Sequence, residues 1–301
     1  MNCELRKSSI VICQLSIVIF ALAYFVCQLS GRWMAVAEAA ARVVGRPWVA
    51  ALEVLLMVAV VVVEAVRWSL MRRAFVSDGS FGRDFVASLR GTALGNSTPG
   101  GVGEHVGRVS AYGGERMASG WASLCSSAAQ TVAIAFAGVA GAVWLGVAGV
   151  GFPKAAIVWG LVAMGIVGVA AAVACYVFRR RIGRVARFVA GRRLGWAYVL
   201  SSGAVAVLKV CLFSFQLWVL IVACGGAGTA DLYAAVLVYY LCVTLTPRLS
   251  IVDVGVKGAW SLAVLGGFAG AEVVSAAVIL LWGLNIVLPS VVGYVAFSVK
   301  S

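Results

Sequence analysis

The sequence predicts an all-α polytopic membrane protein with about six full crossings and two re-entrant helical hairpins arranged as an inverted repeat. Three observations lead there. Charged residues make up 12% of the chain against 63% hydrophobic ones, where a soluble domain carries about 25% charged residues. Apolar runs of about 20 residues, the length a helix needs to cross a bilayer, recur along the 301 residues. Two polar, helix-breaking stretches interrupt that pattern, one in each half of the chain, roughly residues 1–150 and 151–301. The mean hydropathy of +1.03 agrees. Residues 1–301 read as a single integral membrane domain.

Taken in order, residues 9–29 are the first crossing. Arg6 and Lys7 precede the apolar run Ile10 to Leu29, which is longer than a signal-peptide core and ends in no clear cleavage site, so it reads as retained. Residues 49–70, 118–148, 155–178, 196–223 and 272–298 supply five further crossings. Stretches 84–95, 232–246 and 251–269 are too short or too broken to cross and fall into hairpins at 84–117 and 232–269. The connection 179–195 carries seven arginines and no acid, which places it in the cytoplasm. Propagating that assignment puts both termini and the basic stretch around Arg72, Arg73 and Arg83 on the cytoplasmic side of a cytoplasmic (inner) membrane. Arg32, Arg42 and Arg46 then fall outside. The eight cysteines lie mostly in apolar runs without C-x-x-C spacing, and His105 is the only histidine. No metal, cofactor or nucleic-acid partner is expected from these features.

The two breaks echo each other. The first reads Thr98-Pro99-Gly100-Gly101-Val102-Gly103-Glu104, with Arg108 four residues past the acid. The second reads Thr246-Pro247-Arg248-Leu249-Ser250-Ile251-Val252-Asp253, with Lys257 four past the acid. Paired, interrupted segments of this kind mark binding sites in transporter-like membrane proteins. Proline ends the incoming helix, glycine permits a sharp turn and close approach of a ligand, and the helix that restarts offers N–H groups suited to phosphate. Glu104 with Arg108, and Asp253 with Lys257, share a helix face and are expected to pair. Lys209, midway along 196–223, should face the interior. Four residues are secondary candidates: Glu64 and Arg67 as an ion pair at the membrane edge, Arg90 as a neighbour of the first break, and His105 as a hydrogen-bonding partner. Glu53, Asp231 and Glu272 lie near expected helix ends, where solvation accounts for them. Gln130, Gln216 and Asn285 suit interhelical hydrogen bonds.

With "TPGGVGEHVGR" and the second break "TPRLSIVDVGVKGA" in view, the chain resembles the membrane domain of the lysylphosphatidylglycerol synthase/flippase-like family. The first motif matches the family pattern well. The second departs from it, with Arg248, Leu249 and Ser250 where the family has proline or glycine. The resemblance spans the chain and implies translocation of a phospholipid, possibly aminoacylated, or another lipid-linked substrate. The family's soluble synthase domain has no room within 301 residues, so aminoacyl transfer by this chain is not expected. The leading expectation is a lipid translocator whose partners are membrane lipids with anionic or aminoacylated headgroups. Alternatives are a non-catalytic membrane subunit serving a separate lipid-modifying enzyme, or a membrane-embedded lipid transferase.

Overall fold

The computed structural model describes residues 23–77, 79–113, 115–149, 195–246 and 254–298. Among the described residues the secondary structure is helical, with no strand. The helices are α1 (Trp33–Val44), α2 (Pro47–Phe75), α3 (Phe81–Ser97), α4 (Val102–Ser110), α5 (Arg116–Val147), α6 (Trp196–Ala223), α7 (Ala230–Leu245), α8 (Val254–Ala269), α9 (Ala271–Trp282) and α10 (Leu288–Ser298). Helices α9 and α10 are joined through a π-helical turn, Gly283–Val287. Pro289 lies just beyond it and cannot donate back to the preceding turn, which accounts for the widened register.

Four segments are long and apolar enough to cross a membrane: Pro47–Phe75, Arg116–Val147, Trp196–Ala223 and Ala271–Phe297. They coincide with four of the six crossings expected from the sequence. The crossing at 155–178, the arginine-rich 179–195 and most of 9–29 lie outside the described residues. Large apolar side chains on these helices point outward, among them Val54, Leu55, Val58 and Val62 on α2 and Val132, Phe136 and Val143 on α5. The opposite face of α2 buries Glu53, Met57, Glu64, Arg67, Trp68 and Met71. Apolar groups outside and charges inside reverse the arrangement of a water-soluble helix, as a hydrocarbon surround requires.

Two apolar clusters lie at opposite ends of the long helices. One joins Val49 of α2, Leu145 of α5 and Leu217, Leu220 and Ile221 of α6 with Leu232, Val274 and their neighbours. The other joins Trp68, Met71 and Phe75 of α2 with Ala87, Tyr112, Ala118 and Ala122. Between them lie a smaller apolar contact, Ala133 and Ile134 of α5 on Ala206 and Val210 of α6, and a polar layer.

Helices α3 and α4 form a hairpin that fixes one wall of that layer. Ser80 caps α3 by accepting from the Arg83 N–H. The helix ends at Ser97 because Thr98, ahead of Pro99, is extended. One 3₁₀ turn, Pro99–Gly101, follows, with Gly100 at φ 70° and Gly101 at φ 69°, a conformation glycine adopts without strain. Thr98 Oγ1 accepts the Gly103 N–H at 2.7 Å and so caps α4. The returning helix then packs backbone to backbone. A Cβ at Gly103 would stand 2.3 Å from the Leu94 carbonyl oxygen, and one at Gly107 would stand 2.5 Å from that of Arg90. Gly91/Gly95 on α3 and Gly103/Gly107 on α4 therefore form a small-xxx-small contact on both helices.

The open end of the hairpin is tied to α2. The Arg72 guanidinium bonds Asp84 at 2.7 and 3.0 Å with both partners buried, and the Tyr112 hydroxyl donates to the same carboxylate. Burial and the Asp84 carboxylate push the Tyr112 hydroxyl above its usual range, so it remains the donor. At the other side α10 lies on α3, where a Cβ at Gly293 would meet the Leu89 carbonyl oxygen at 2.3 Å.

Gly107→Ala should lower stability by about 1–3 kcal/mol through forced separation of α3 and α4. Gly146→Ala, in a helix with open space around its Cβ, should leave it unchanged or raise it slightly. Thermal unfolding of the purified variants in detergent tests the contrast. Equal effects would mean that the hairpin contact is not tight.

Candidate functional site

Glu64 lies seventeen residues into α2 and eleven from its end, roughly 25 and 16 Å from the two ends at 1.5 Å per residue. Its carboxylate accepts from three cationic side chains on three helices. Arg67 of α2 donates from Nη2 at 2.6 and 2.7 Å and from Nε at 3.2 Å. Lys209 Nζ of α6 donates at 2.6 Å. Arg108 Nη2 of α4 completes the set. Arg67 also donates to the Ser126 carbonyl of α5. Arg67 and Arg108 are each 1% exposed, so these are interior charges whose desolvation must be offset by pairing.

Arg108 links this cluster to the hairpin. Its Nη2 lies 2.8 Å from Glu104 Oε1 one turn back, and Nη1 donates to Ser123 Oγ at 3.3 Å. Its guanidinium sits 5.4 Å from the centre of the Trp68 ring. The α3 glycines make this possible. A Cβ at Gly91 would stand 2.9 Å from Arg108 Cγ, and one at Gly95 would stand 2.9 Å from Glu104 Cβ. Bare backbone on α3 thus gives the working side chains of α4 their room.

A cavity of about 600 Å³ opens beside the cluster. The first hairpin contributes Gly100, Gly101, Glu104, His105 and Arg108, and the long helices contribute Glu64, Arg67, Gln130 and Lys209. Thr244, Thr246 and Lys257, from the end of α7 and from α8, line it as well, and Asn285 of the π-helical turn faces it. Among the described residues lining it, four cationic side chains, Arg67, Arg108, Lys209 and Lys257, stand against two carboxylates, Glu64 and Glu104. The formal excess at neutral pH is two positive charges. Such a site attracts an anion, and its low-dielectric surroundings strengthen the attraction.

Most of the sequence candidates converge here. Gly100, Gly101, Glu104, Arg108, Lys209 and Lys257 line the cavity; Gly103 sits behind it in the hairpin contact, and Pro99 begins the turn. The Glu104–Arg108 pair forms as expected. Pro247, Arg248 and Asp253 lie outside the described residues. His105 bonds Ser123 Oγ through Nδ1 at 2.8 Å.

Three sequence expectations need correction. Glu64 and Arg67 are not a pair at the membrane edge, because Arg108 and Lys209 draw Glu64 into an interior cluster and Arg67 has no route to the surface. Arg90 does not line the cavity. Its guanidinium turns to the Ala296 carbonyl of α10, at 2.9 and 3.2 Å, and to the Phe297 ring. Glu53 is not solvated near a helix end but 1% exposed. By contrast, Glu272 is partly exposed and pairs with Arg32 at 3.1 Å, and Asp231 accepts from Trp144 Nε1.

No protein-family model, curated protein or solved structure matches this chain. The site must therefore be read from its own chemistry.

Sequence reasoning singled out Gln130 but missed the serine face that it continues on α5. Ser123, Ser126, Ser127 and Gln130 recur at helical spacing within an otherwise apolar run. That spacing was the available signal. Ser123 reaches Arg108 and His105, the Ser126 carbonyl takes Arg67, and Ser127 Oγ lies 3.5 Å from Glu104.

Glu64→Gln should cost about 3–5 kcal/mol, since it leaves three buried cations short of their common carboxylate. Adding Lys209→Met removes one of those cations and should restore part of the loss. Thermal unfolding of single and double variants measures this. Strictly additive losses would contradict a shared cluster.

Proposed function

We propose that this chain is a lipid translocator and that its cavity receives the phosphate of an anionic headgroup. The observation that carries the reading is the excess of cations around a cavity set amid membrane-crossing helices. Its volume falls within the range of small-ligand sites and suits a headgroup whose acyl chains stay in the bilayer. A headgroup with one negative charge suits a lining rich in Arg and Lys, whereas a lysyl headgroup with net positive charge does not. Among the expected substrates, the described lining therefore favours unmodified anionic phospholipids or polyprenyl phosphates over aminoacylated ones.

In this reading the cluster around Glu64 is the resting arrangement. An arriving phosphate competes with the carboxylates for Arg108, Lys209 and Lys257, and the ion pairs open to take it. Arg108 offers a planar fork of donors and the lysines offer mobile point charges. The α3–α4 hairpin and the α7–α8 pair would act as two opposed re-entrant hairpins within a six-crossing inverted repeat, with one half rocking against the other around the cavity. The resemblance of "TPGGVGEHVGR" to the lysylphosphatidylglycerol synthase/flippase-like family supports the same class of substrate.

Dithionite quenching of fluorescent lipids in proteoliposomes tests this. Wild type should move phosphatidylglycerol at least about tenfold faster than phosphatidylcholine, the factor for 1.4 kcal/mol of discrimination. Arg108→Gln and Lys257→Gln, checked for folding by thermal unfolding, should lose most of that preference. Equal rates for both lipids, or variants as selective as wild type, would contradict the reading.

A further inference from the structure

Helix α2 buries two glutamates eleven residues apart, in opposite electrostatic surroundings. Glu64 holds three cations. Glu53, 1% exposed, holds none among the described residues, and the polar side chain that approaches it is Gln216 of α6. The elements packed around Glu53 bring few titratable groups. Cys224 follows the end of α6, and Tyr240 faces it from α7. Arg42 of α1 stands behind Cys224 and donates to that residue's carbonyl at 3.1 Å. The half of α5 from Ser126 to Val147 has no ionisable side chain. On α3, Asp84 is engaged by Arg72, nineteen residues further along α2.

A carboxylate with no counter-ion is costly in such surroundings, while the neutral acid is tolerated. Paired buried carboxyls in opposite electrostatic surroundings are a recurrent signature of a proton-handling site. Glu53 is also wired to the cavity. Gln216 Nε2 of α6 donates to the Glu53 main-chain carbonyl at 3.2 Å, and Asn285 Nδ2 donates to Gln216 Oε1 at 2.7 Å. Asn285 lines the cavity from the π-helical turn and leaves its own Oδ1 without a partner. An anionic headgroup that accepts from the Asn285 Nδ2 amide, which also donates to Gln216, therefore disturbs the residue lying against Glu53.

We infer that Glu53 is a proton-binding site coupled to anion occupancy of the cavity through Gln216 and Asn285. This rests on the translocator reading for its anion, but not for the protonation of Glu53 itself. An anion in the cavity favours the neutral acid, so headgroup binding and proton uptake go together, and linkage makes the effect reciprocal. When the cavity empties, Glu53 holds its proton less tightly and releases it at a lower pH. Glu53 lies seven residues from Arg46, the cap of α2, roughly 10 Å by helical rise, so exchange takes place with the face carrying residues 224–229.

Infrared titration of the full chain in nanodiscs tests the inference. The carbonyl stretch of a protonated, weakly hydrogen-bonded carboxylic acid should appear at neutral pH, shift on ¹³C-glutamate labelling, and be absent from Glu53→Gln, which is isosteric with the neutral acid. Its titration midpoint should be higher in phosphatidylglycerol than in phosphatidylcholine by about one pH unit, a tenfold coupling within the usual range. Gln216→Leu should keep the band and abolish that difference. A spectrum unchanged by Glu53→Gln and free of a labelled protonated-carboxyl band would overturn the proton site. A band with the same midpoint in both lipids would overturn the coupling. Loss of lipid selectivity in the translocation assay, with the band intact, would count against the translocator alone.

Discussion

The carboxylate of Glu64 is the point on which the interior depends. Three cations from α2, α4 and α6 converge on it, and a membrane-crossing bundle has little water with which to solvate any of them if it is lost. The apolar clusters at the two ends of the long helices pack in the ordinary way. Between them one small apolar contact joins α5 and α6, and polar contacts carry much of the rest, because apolar side chains gain little from leaving lipid for protein. Glu64 supplies such a contact and at the same time arms the cavity, since the cations gathered on it outnumber the acids among the described lining residues.

The glycine face of the α3–α4 hairpin makes this arrangement sterically possible. With Gly103 against the Leu94 carbonyl and Gly107 against that of Arg90, α4 lies close enough for Arg108 to reach across to α2. Positive φ at Gly100 and Gly101 sets the direction in which α4 returns. The Arg72–Asp84–Tyr112 contact fixes the other end of the hairpin. Backbone proximity, turn geometry and buried charge are thus parts of one mechanical unit. Its effect is to deliver Glu104 and Arg108 to the cavity.

Much of this was legible in the sequence because membrane physics leaves few choices. Length and hydropathy mark the four long helices within a few residues, and Thr98-Pro99-Gly100-Gly101 announces the turn that follows α3. The i,i+4 spacing of Glu104 and Arg108 anticipates their pair. Lys209, at the middle of an apolar helix, could hardly face lipid. What could not be read was which charges meet across helices. Glu64 and Arg67 look like a local pair because their spacing satisfies both, and only the packing of α4 and α6 on α2 reveals the larger cluster. Arg90 lies beside the break in sequence, yet its side chain points to α10. Glu53 lies within two turns of its helix terminus, but Leu217, Leu220 and their neighbours in the apolar cluster enclose that end of the bundle. The serine face of α5 was visible as periodicity, although its partners were not.

The most direct measurement is the identity of the lipid that stays with the protein. Native mass spectrometry of the chain, purified in mild detergent from a mixed-lipid membrane, would show adducts and their masses. The expected result is retention of an anionic phospholipid or polyprenyl phosphate by wild type, with loss of that adduct in Lys257→Gln. Retention of zwitterionic lipids in proportion to their abundance, or an anionic adduct that survives the substitution, would contradict the cavity as a headgroup site.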